Sequence, residues 1–374
     1  LHLCDRRQRQ MCIRDSGHHL GFRPYGFCSI EYDLTPYLDY DGENVIAVRV
    51  NRSGVKDVAR WYTGSGIYRH AWLQVTNPVH VATYGTYVTT PSVSEDKAEI
   101  RIMTTLENEL KKVQTVSISH LILDNQGKIV AKSGTEKTLF EAGQSIKITQ
   151  NLTLNYPRLW TLEKPELYTL ETTVKANGKV TDLYKTPFGI RTIAFDSEKG
   201  FLLNGKQVKL KGMCLHQDAG SLGTAVLDRS YERRLEIIKE YGCNAIRCSH
   251  NQPSPEFLDM CDRMGFVVID EAFDKWKSGY YEKYFDEWWQ RDLENMILRD
   301  RNHPSIILWS IGNEVTEAWE QGNEGIKRAE MLRDFVHKLE PSRPVTLAAQ
   351  NNHRGEFSAV ADVVGYNYLE ARLL

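Results

Sequence analysis

No apolar run in the chain reaches the roughly 18 residues that a bilayer-spanning helix needs, so no transmembrane segment is expected. Neither sign of charge is in excess. With 47 Lys and Arg against 49 Asp and Glu, the sequence carries no footprint for nucleic acid or an anionic membrane, and a neutral partner is expected. Internal repeats are absent. The 7 cysteines include no CxxC pair and no His at metal-ligand spacing, which argues against a disulfide framework or a zinc ribbon. Cys28, Cys214, Cys243, Cys248 and Cys261 read instead as small core residues.

What is present is enough apolar material, 41% of 374 residues, for two or three domains with their own cores. Residues 1–16, LHLCDRRQRQMCIRDS, differ in character from everything after them. They back-translate into a sequencing-library adapter, so they are expected to be a scar and are set aside. From 17 to 78 short alternating runs dominate, with Ile46, Val48 and Val50 on one face after the Asp41-Gly42 turn. From 79 to 191 strands of five to eight residues continue. Ile100 and Ile102 alternate with charged neighbours, Val116, Ile118 and Ile122 share a parity, and Asn177-Gly178 is a two-residue hairpin turn. This spacing predicts an immunoglobulin-like β-sandwich.

After Asn204-Gly205 the rhythm changes to strand, helix, strand. Strands are expected at 208–212, 243–247, 266–270, 305–310, 345–347 and 363–366. Helices are expected between them, one capped by Asp228 and closed by Gly242, another opened by Ser254 and Pro255 and ended by Gly265. Six such steps without a reversal predict an incomplete (β/α)8 barrel. The expected fold class is therefore multidomain, β plus α/β.

One stretch organises the rest: residues 300–314, DRNHPSIILWSIGNE. Asn302, His303 and Pro304 break a helix, Ile306 to Trp309 form a doubly covered strand, Gly312 relaxes its end, and Asn313 and Glu314 follow at the carboxyl edge, where chemistry sits in parallel sheets. A second stretch, NAIRCSHNQPSPEFLDMCDRMGFVVIDE at 244–271, places Arg247 and His250 after the second barrel strand. HQD at 216–218 follows the first. Asp270, Glu271, Asp274 and Trp276 follow the third.

The first stretch resembles the acid/base signature of the retaining β-glycosidases of glycoside hydrolase family two, which include β-galactosidases, β-glucuronidases and β-mannosidases. The second resembles that family's other signature. GFRPYGF, YDLTPYL and GSGIYRHAWL resemble the latter part of its sugar-binding jelly roll, expected over 17–78, with its first strands absent. The resemblance implies an immunoglobulin-like domain over 79–191 and a barrel cut short over 192–374. It also implies that Glu314 is the general acid/base, with Asn313 beside it to hydrogen-bond a sugar 2-hydroxyl. Retaining hydrolysis needs two carboxyl groups about 5 to 5.5 Å apart, and the acid must keep its proton near neutral pH. Trp309 and its strand are expected to supply the apolar wall for that.

By the same resemblance Asp218 and His250 take sugar hydroxyls, Arg247 keeps a carboxylate ionised, Trp276 stacks on a pyranose face, and Asn367 with Tyr368 stands where a tyrosine orients the nucleophile. Trp288 and Trp289 are expected to pack on a helix. The nucleophilic Glu belongs to a seventh strand beyond Leu374, since Glu356 and Glu370 are at the wrong stations. The 374 residues alone are accordingly expected to be inactive. No cofactor is expected, a divalent cation at the acidic trio being the minority reading. The wording of DEAFDKW and FDEWWQRDLENMILRDRNHPS favours a β-galactoside as substrate, with a β-glucuronide or a non-catalytic carbohydrate binder as alternatives. Linkage, self-association of the full-length protein, and a periplasmic or cytoplasmic location are left open.

Overall fold

The computed structural model describes residues 10–15, 17–51, 64, 66–319, 323–349 and 355–368. Three strands, β1 (Gln10–Asp15), β2 (His18–Arg23) and β3 (Ile46–Asn51), make an antiparallel sheet in the order β2-β1-β3. The middle strand comes from the stretch set aside in the sequence reading. Eight strands follow as a sandwich: β4 (Val79–Val93), β5 (Lys97–Asn108), β6 (Gln114–Leu123), β7 (Ile129–Lys132), β8 (Glu136–Phe140), β9 (Ser145–Asn155), β10 (Tyr168–Ala176) and β11 (Lys179–Phe188). One sheet runs β4-β5-β9, the other β11-β10-β6-β7 with β8 also on β6. Alternation builds this core as expected: Ile100, Ile102, Val116, Ile118 and Ile122 are all buried between the sheets. Asn177 and Gly178 both take positive φ, as the tight turn requires.

A small sheet of β12 (Ile193–Asp196), β13 (Gly200–Leu203) and β14 (Lys206–Gln207) leads into six parallel strands in sequence order. These are β15 (Gly212–Leu215), β16 (Ala245–Cys248), β17 (Val267–Glu271), β18 (Ile306–Asn313), β19 (Val345–Ala349) and β20 (Val363–Tyr366), linked by α1 (Asp228–Glu240), α2 (Pro255–Met264), α3 (Phe285–Asp300) and α4 (Glu324–Leu339). The result is a partial barrel with helices on its outer face, its main core lying between helices and sheet. Among the described residues no helix is long and apolar enough to cross a membrane.

Several sequence expectations shift. The first parallel strand is Gly212–Leu215 rather than 208–212, because Gly212 is the residue that pairs with Ala245 of β16. Asp228 opens the first turn of α1 instead of capping it, and bonds to His70 (3.2 Å). Ser254, Pro255 and Gly265 act as read: the Ser254 hydroxyl accepts the Phe257 N–H, and Gly265 takes the left-handed conformation. Gly312 lies inside β18, which runs on to Asn313. Its missing Cβ would stand 2.9 Å from Trp276 Nε1, so close approach, not a turn, demands glycine there. Cys28, Cys248 and Cys261 are buried, whereas Cys214 is exposed. Trp289 packs edge-on against Phe335, and Trp288 against Phe22, as a helical position implied.

The turn between α3 and β18 is where sandwich and barrel lock. Val88 N–H donates to Asn302 Oδ1 and Asn302 Nδ2 to the Thr86 carbonyl. Arg343 spreads three N–H groups over the carbonyls of Arg301, His303 and Ile306, and Arg191 donates to those of Pro304 and Ile306. Trp160 of the sandwich reaches the Asp262 carbonyl of α2 (2.9 Å). His303 Nδ1 donates to Asp262 Oδ2 (2.6 Å). Burial works against the His303 charge, but Asp262 and its acidic neighbours outweigh that and lift its pKa from 6.5 to about 9.

A raised histidine pKa stabilises the fold fully below the unfolded value near 6.5 and loses that contribution as pH climbs through about 9. Wild-type stability, followed by urea unfolding, is therefore expected to drop by roughly 3 kcal/mol from this group over that window. His303→Asn is expected to remove that slope. An unchanged pH profile in the variant sinks the assignment.

Candidate active site

The carboxyl ends of β16, β17, β18 and β20 converge on a buried charge. Glu271, the last residue of β17, has no solvent exposure. Its carboxylate accepts from Arg247 Nε (3.1 Å) and NH2 (2.7 Å), from Ser310 Oγ (2.7 Å) and from His250 Nδ1 (2.6 Å). Burial alone would raise its pKa. The Arg247 guanidinium, His250 and Ser310 override burial and hold the carboxyl down at about 2. The parallel register explains the meeting. Glu271 pairs with Ser310 and Asp270 with Trp309, so the first pair shares the inner side and the second the outer.

Asn313 joins this network through an irregularity. Strict alternation would leave it on the side of Trp309, but the register shifts between Ser310 and Asn313, and such shifts re-aim a side chain. Its Oδ1 accepts from Arg247 NH2 (2.9 Å) and Asn367 Nδ2 (3.3 Å), while its Nδ2 donates to Asp274 Oδ1 (2.9 Å). Asn313 is fully buried, so a bond to a sugar hydroxyl must draw on its second amide proton. Lys275 Nζ bridges Asp274 Oδ1 and the Asn313 carbonyl, each at 2.8 Å.

Glu314 follows immediately, 8% exposed, at the rim of the sheet. Its N–H donates to the Ala348 carbonyl of β19 (2.8 Å), and its Oε1 accepts from Asn367 Nδ2 (2.8 Å). Its φ of 45° is left-handed, a conformation that costs a side-chain-bearing residue about 1 kcal/mol or more. That turn ends the strand and brings the carboxyl to Asn367. His216, after β15, donates from Nδ1 to the Ser249 carbonyl (2.9 Å), and its ring meets that of His250 edge-on at 5.5 Å. Burial, then the neighbouring His250, lowers the His216 pKa. The Ser249-His250 peptide is cis.

The structure thus brings together Glu314, Asn313, Arg247, His250 and Asn367 of the sequence-derived set. It differs at Trp276, at Trp309 and at the acidic trio. Trp276 is fully buried, with its indole N–H on the Ile311 carbonyl (2.8 Å) and its ring against Phe285 and Phe357, so it offers no face to a pyranose. Trp309 is on the outer side with its N–H on Glu340 (2.8 Å) and is no wall for Glu314. Tyr368, exposed, and Asp218, half-exposed beside Arg234 of α1 (3.8 Å), stand outside this network and open to solvent, which leaves their expected roles open. The trio Asp270, Glu271 and Asp274 does not form one ligand cluster among the described residues. Asp270 faces Asp300 and Arg299 in a buried environment that, with Asp300, raises its pKa strongly.

Ser310, Lys275 and the central role of Glu271 were not foreseen, whereas His216 lay within the HQD stretch. A hydroxyl interrupting IILWSIGN at the parity of the inner face was the available signal for Ser310. Glu370 lies outside the described residues, and Glu356 is solvent-exposed.

The model described as "Glycosyl hydrolases family 2, TIM barrel domain" matches residues 195–371, and "Glycosyl hydrolases family 2" matches 79–191. A beta-galactosidase of Bacteroides ovatus is 46% identical over 94% of this chain and 46% of its own length. A putative beta-glucuronidase of Formosa agariphila is 41% identical over 90% of this chain and 31% of its own length. A solved glycosyl hydrolase family 2 member from Bacteroides cellulosilyticus superposes with a TM-score of 0.92 at 41% identity, covering 98% of this chain and 47% of that one. The chain spans less than half the length of each.

Replacing Arg247 by Met leaves the Glu271 charge buried without its cation. A loss on the order of 3–5 kcal/mol is expected in urea unfolding, as for other broken buried pairs. A loss below 1 kcal/mol contradicts the network as drawn.

Proposed function

This chain belongs to glycosyl hydrolase family 2, and on that basis we propose that its protein hydrolyses terminal β-glycosides with retention, Glu314 serving as acid and then base. The observation that carries the reading is the Glu314 carboxyl, fixed at the carboxyl rim of a parallel sheet by Asn367 and adjacent to the Asn313–Arg247–Glu271 network. In the first displacement Glu314 gives its proton to the leaving-group oxygen while a second carboxylate attacks the anomeric carbon. In the second it takes a proton from the water that releases the sugar. Arg247 spends its charge, and His250 its Nδ1 hydrogen bond, on Glu271, so they hold the floor of the site while Asn313 spaces Arg247 from Glu314.

The second carboxylate, on this proposal, lies beyond Leu374. The supports are the relatives' greater length and the place of β15 and β20 at the two ends of the six-stranded sheet's order among the described residues. The 374 residues alone then do not turn over.

The favoured substrate is a β-galactoside, in keeping with the 46% identical relative named a beta-galactosidase. The 41% identical relative named a putative beta-glucuronidase motivates the second reading, a β-glucuronide. Both are to be assayed on the full gene product. With a galactoside whose leaving group is a poor one, Glu314→Gln is expected to cut kcat/KM by about 10² to 10⁴. A nitrophenyl galactoside, whose leaving group departs without help, loses less in its first step, and added azide yields a β-galactosyl azide. Wild-type rates in Glu314→Gln on both substrates would falsify the role. Faster hydrolysis of glucuronides than galactosides moves the assignment to the second substrate.

A further inference from the structure

Outside the barrel, three potential ligand atoms face one another on the sandwich. His80 of β4 stands directly opposite Glu107 of β5 in the antiparallel register. Glu109 lies two residues further along, so it returns to the same face, and its N–H continues the ladder to the Pro78 carbonyl (2.8 Å). One ligand atom from each of the three lies within 4.8 Å of the others.

The His80 side chain points to an occupant between them. It is nine-tenths buried. Its Nδ1 lies 2.9 Å from the Asn77 carbonyl, which can only accept, so Nδ1 carries a proton and Nε2 is left to face the carboxylates. Backbone-carbonyl bonding of this kind is what orients a metal-ligating histidine. Nε2 stands 3.5 Å from Glu107 Oε2. That is long for a charge-assisted hydrogen bond of about 2.7–2.9 Å. It matches the edge of a tetrahedron around a metal with bonds of about 2.0–2.2 Å, which is roughly 3.4 Å. Glu107 also lines a polar cavity of about 470 Å³ between the sandwich, the N-terminal sheet and α3, whose wall includes Glu31, Asp33 and Glu294. Arg23 and Arg291 share that wall, leaving its four carboxylates, Glu107 included, in excess.

We propose that His80, Glu107 and Glu109 bind a zinc-class dication. One imidazole and two carboxylates neutralise a double charge and leave a coordination position for water, and the imidazole disfavours magnesium and calcium. The site ties the first residues of β4 to the end of β5. It is independent of the glycosidase reading.

The test uses the 374-residue chain stripped with a chelator and titrated with zinc chloride by calorimetry, and with cobalt(II) by absorption. Expected are one equivalent bound, a tetrahedral cobalt spectrum without a thiolate charge-transfer band, and weakening of about ten-fold or more in His80→Gln and Glu109→Gln. Glu109 is exposed, so its variant folds even if the His80 variant does not, and zinc should raise the urea midpoint of the wild type but not of Glu109→Gln. Absence of binding at micromolar zinc overturns the proposal in favour of a His80–Glu107 ion pair. Equal affinity in the wild type and Glu109→Gln, or a thiolate band, overturns it in favour of other ligands.

Discussion

Everything at the carboxyl end of the sheet depends on keeping one charge in a place without water. Glu271 ionised and unpaired would cost far more than the fold can spare. Arg247, His250 and Ser310 meet that demand from three directions, and in doing so they lose their freedom. Another N–H of the same Arg247 guanidinium goes to Asn313. Asn367 then ties Asn313 to Glu314. The position of the Glu314 carboxyl is thus inherited, bond by bond, from the neutralisation of a carboxylate that performs no chemistry in the proposed reaction.

The stretch that first drew attention serves two ends of the same strand. Its opening residues, Arg301 to Ser305, lie at the amino edge of β18 and hold the sandwich through Asn302 and Arg191, while Arg343 braces the turn from within the barrel. Its closing residues, Asn313 and Glu314, lie at the carboxyl edge. A rigid eight-residue strand, buried along its whole length, joins them. Fixing one end to a second domain therefore fixes where the other end delivers its side chain.

Local signals were legible because they are short-range. Ser254, Pro255 and Gly265 delimit a helix through bonds to residues a few positions away, and the Asn177-Gly178 turn needs only its own two φ angles. The candidate acid/base was legible through the resemblance of a whole stretch. Orientation around β18 was not. Trp309 read as an apolar wall for Glu314 and Trp276 as a platform for a sugar, yet which side a strand residue such as Trp309 faces depends on register with its neighbours, and the irregularity after Ser310 changes that parity midway. The central role of Glu271 was hidden for a similar reason: three acids within five residues of sequence look like one cluster, but Asp270 and Glu271 point to opposite sides of the sheet. The start of β15 was misplaced because only its partner, Ala245, sets it.

If Glu314 is the acid/base, as proposed, the left-handed backbone at residue 314 sets function and robustness against each other. Glycine is the residue most at ease there, by roughly 1 kcal/mol, and it has no carboxyl group to offer. A laboratory selection that rewards heat resistance alone would be drawn toward an inert protein at this position, and library designs should hold it constant.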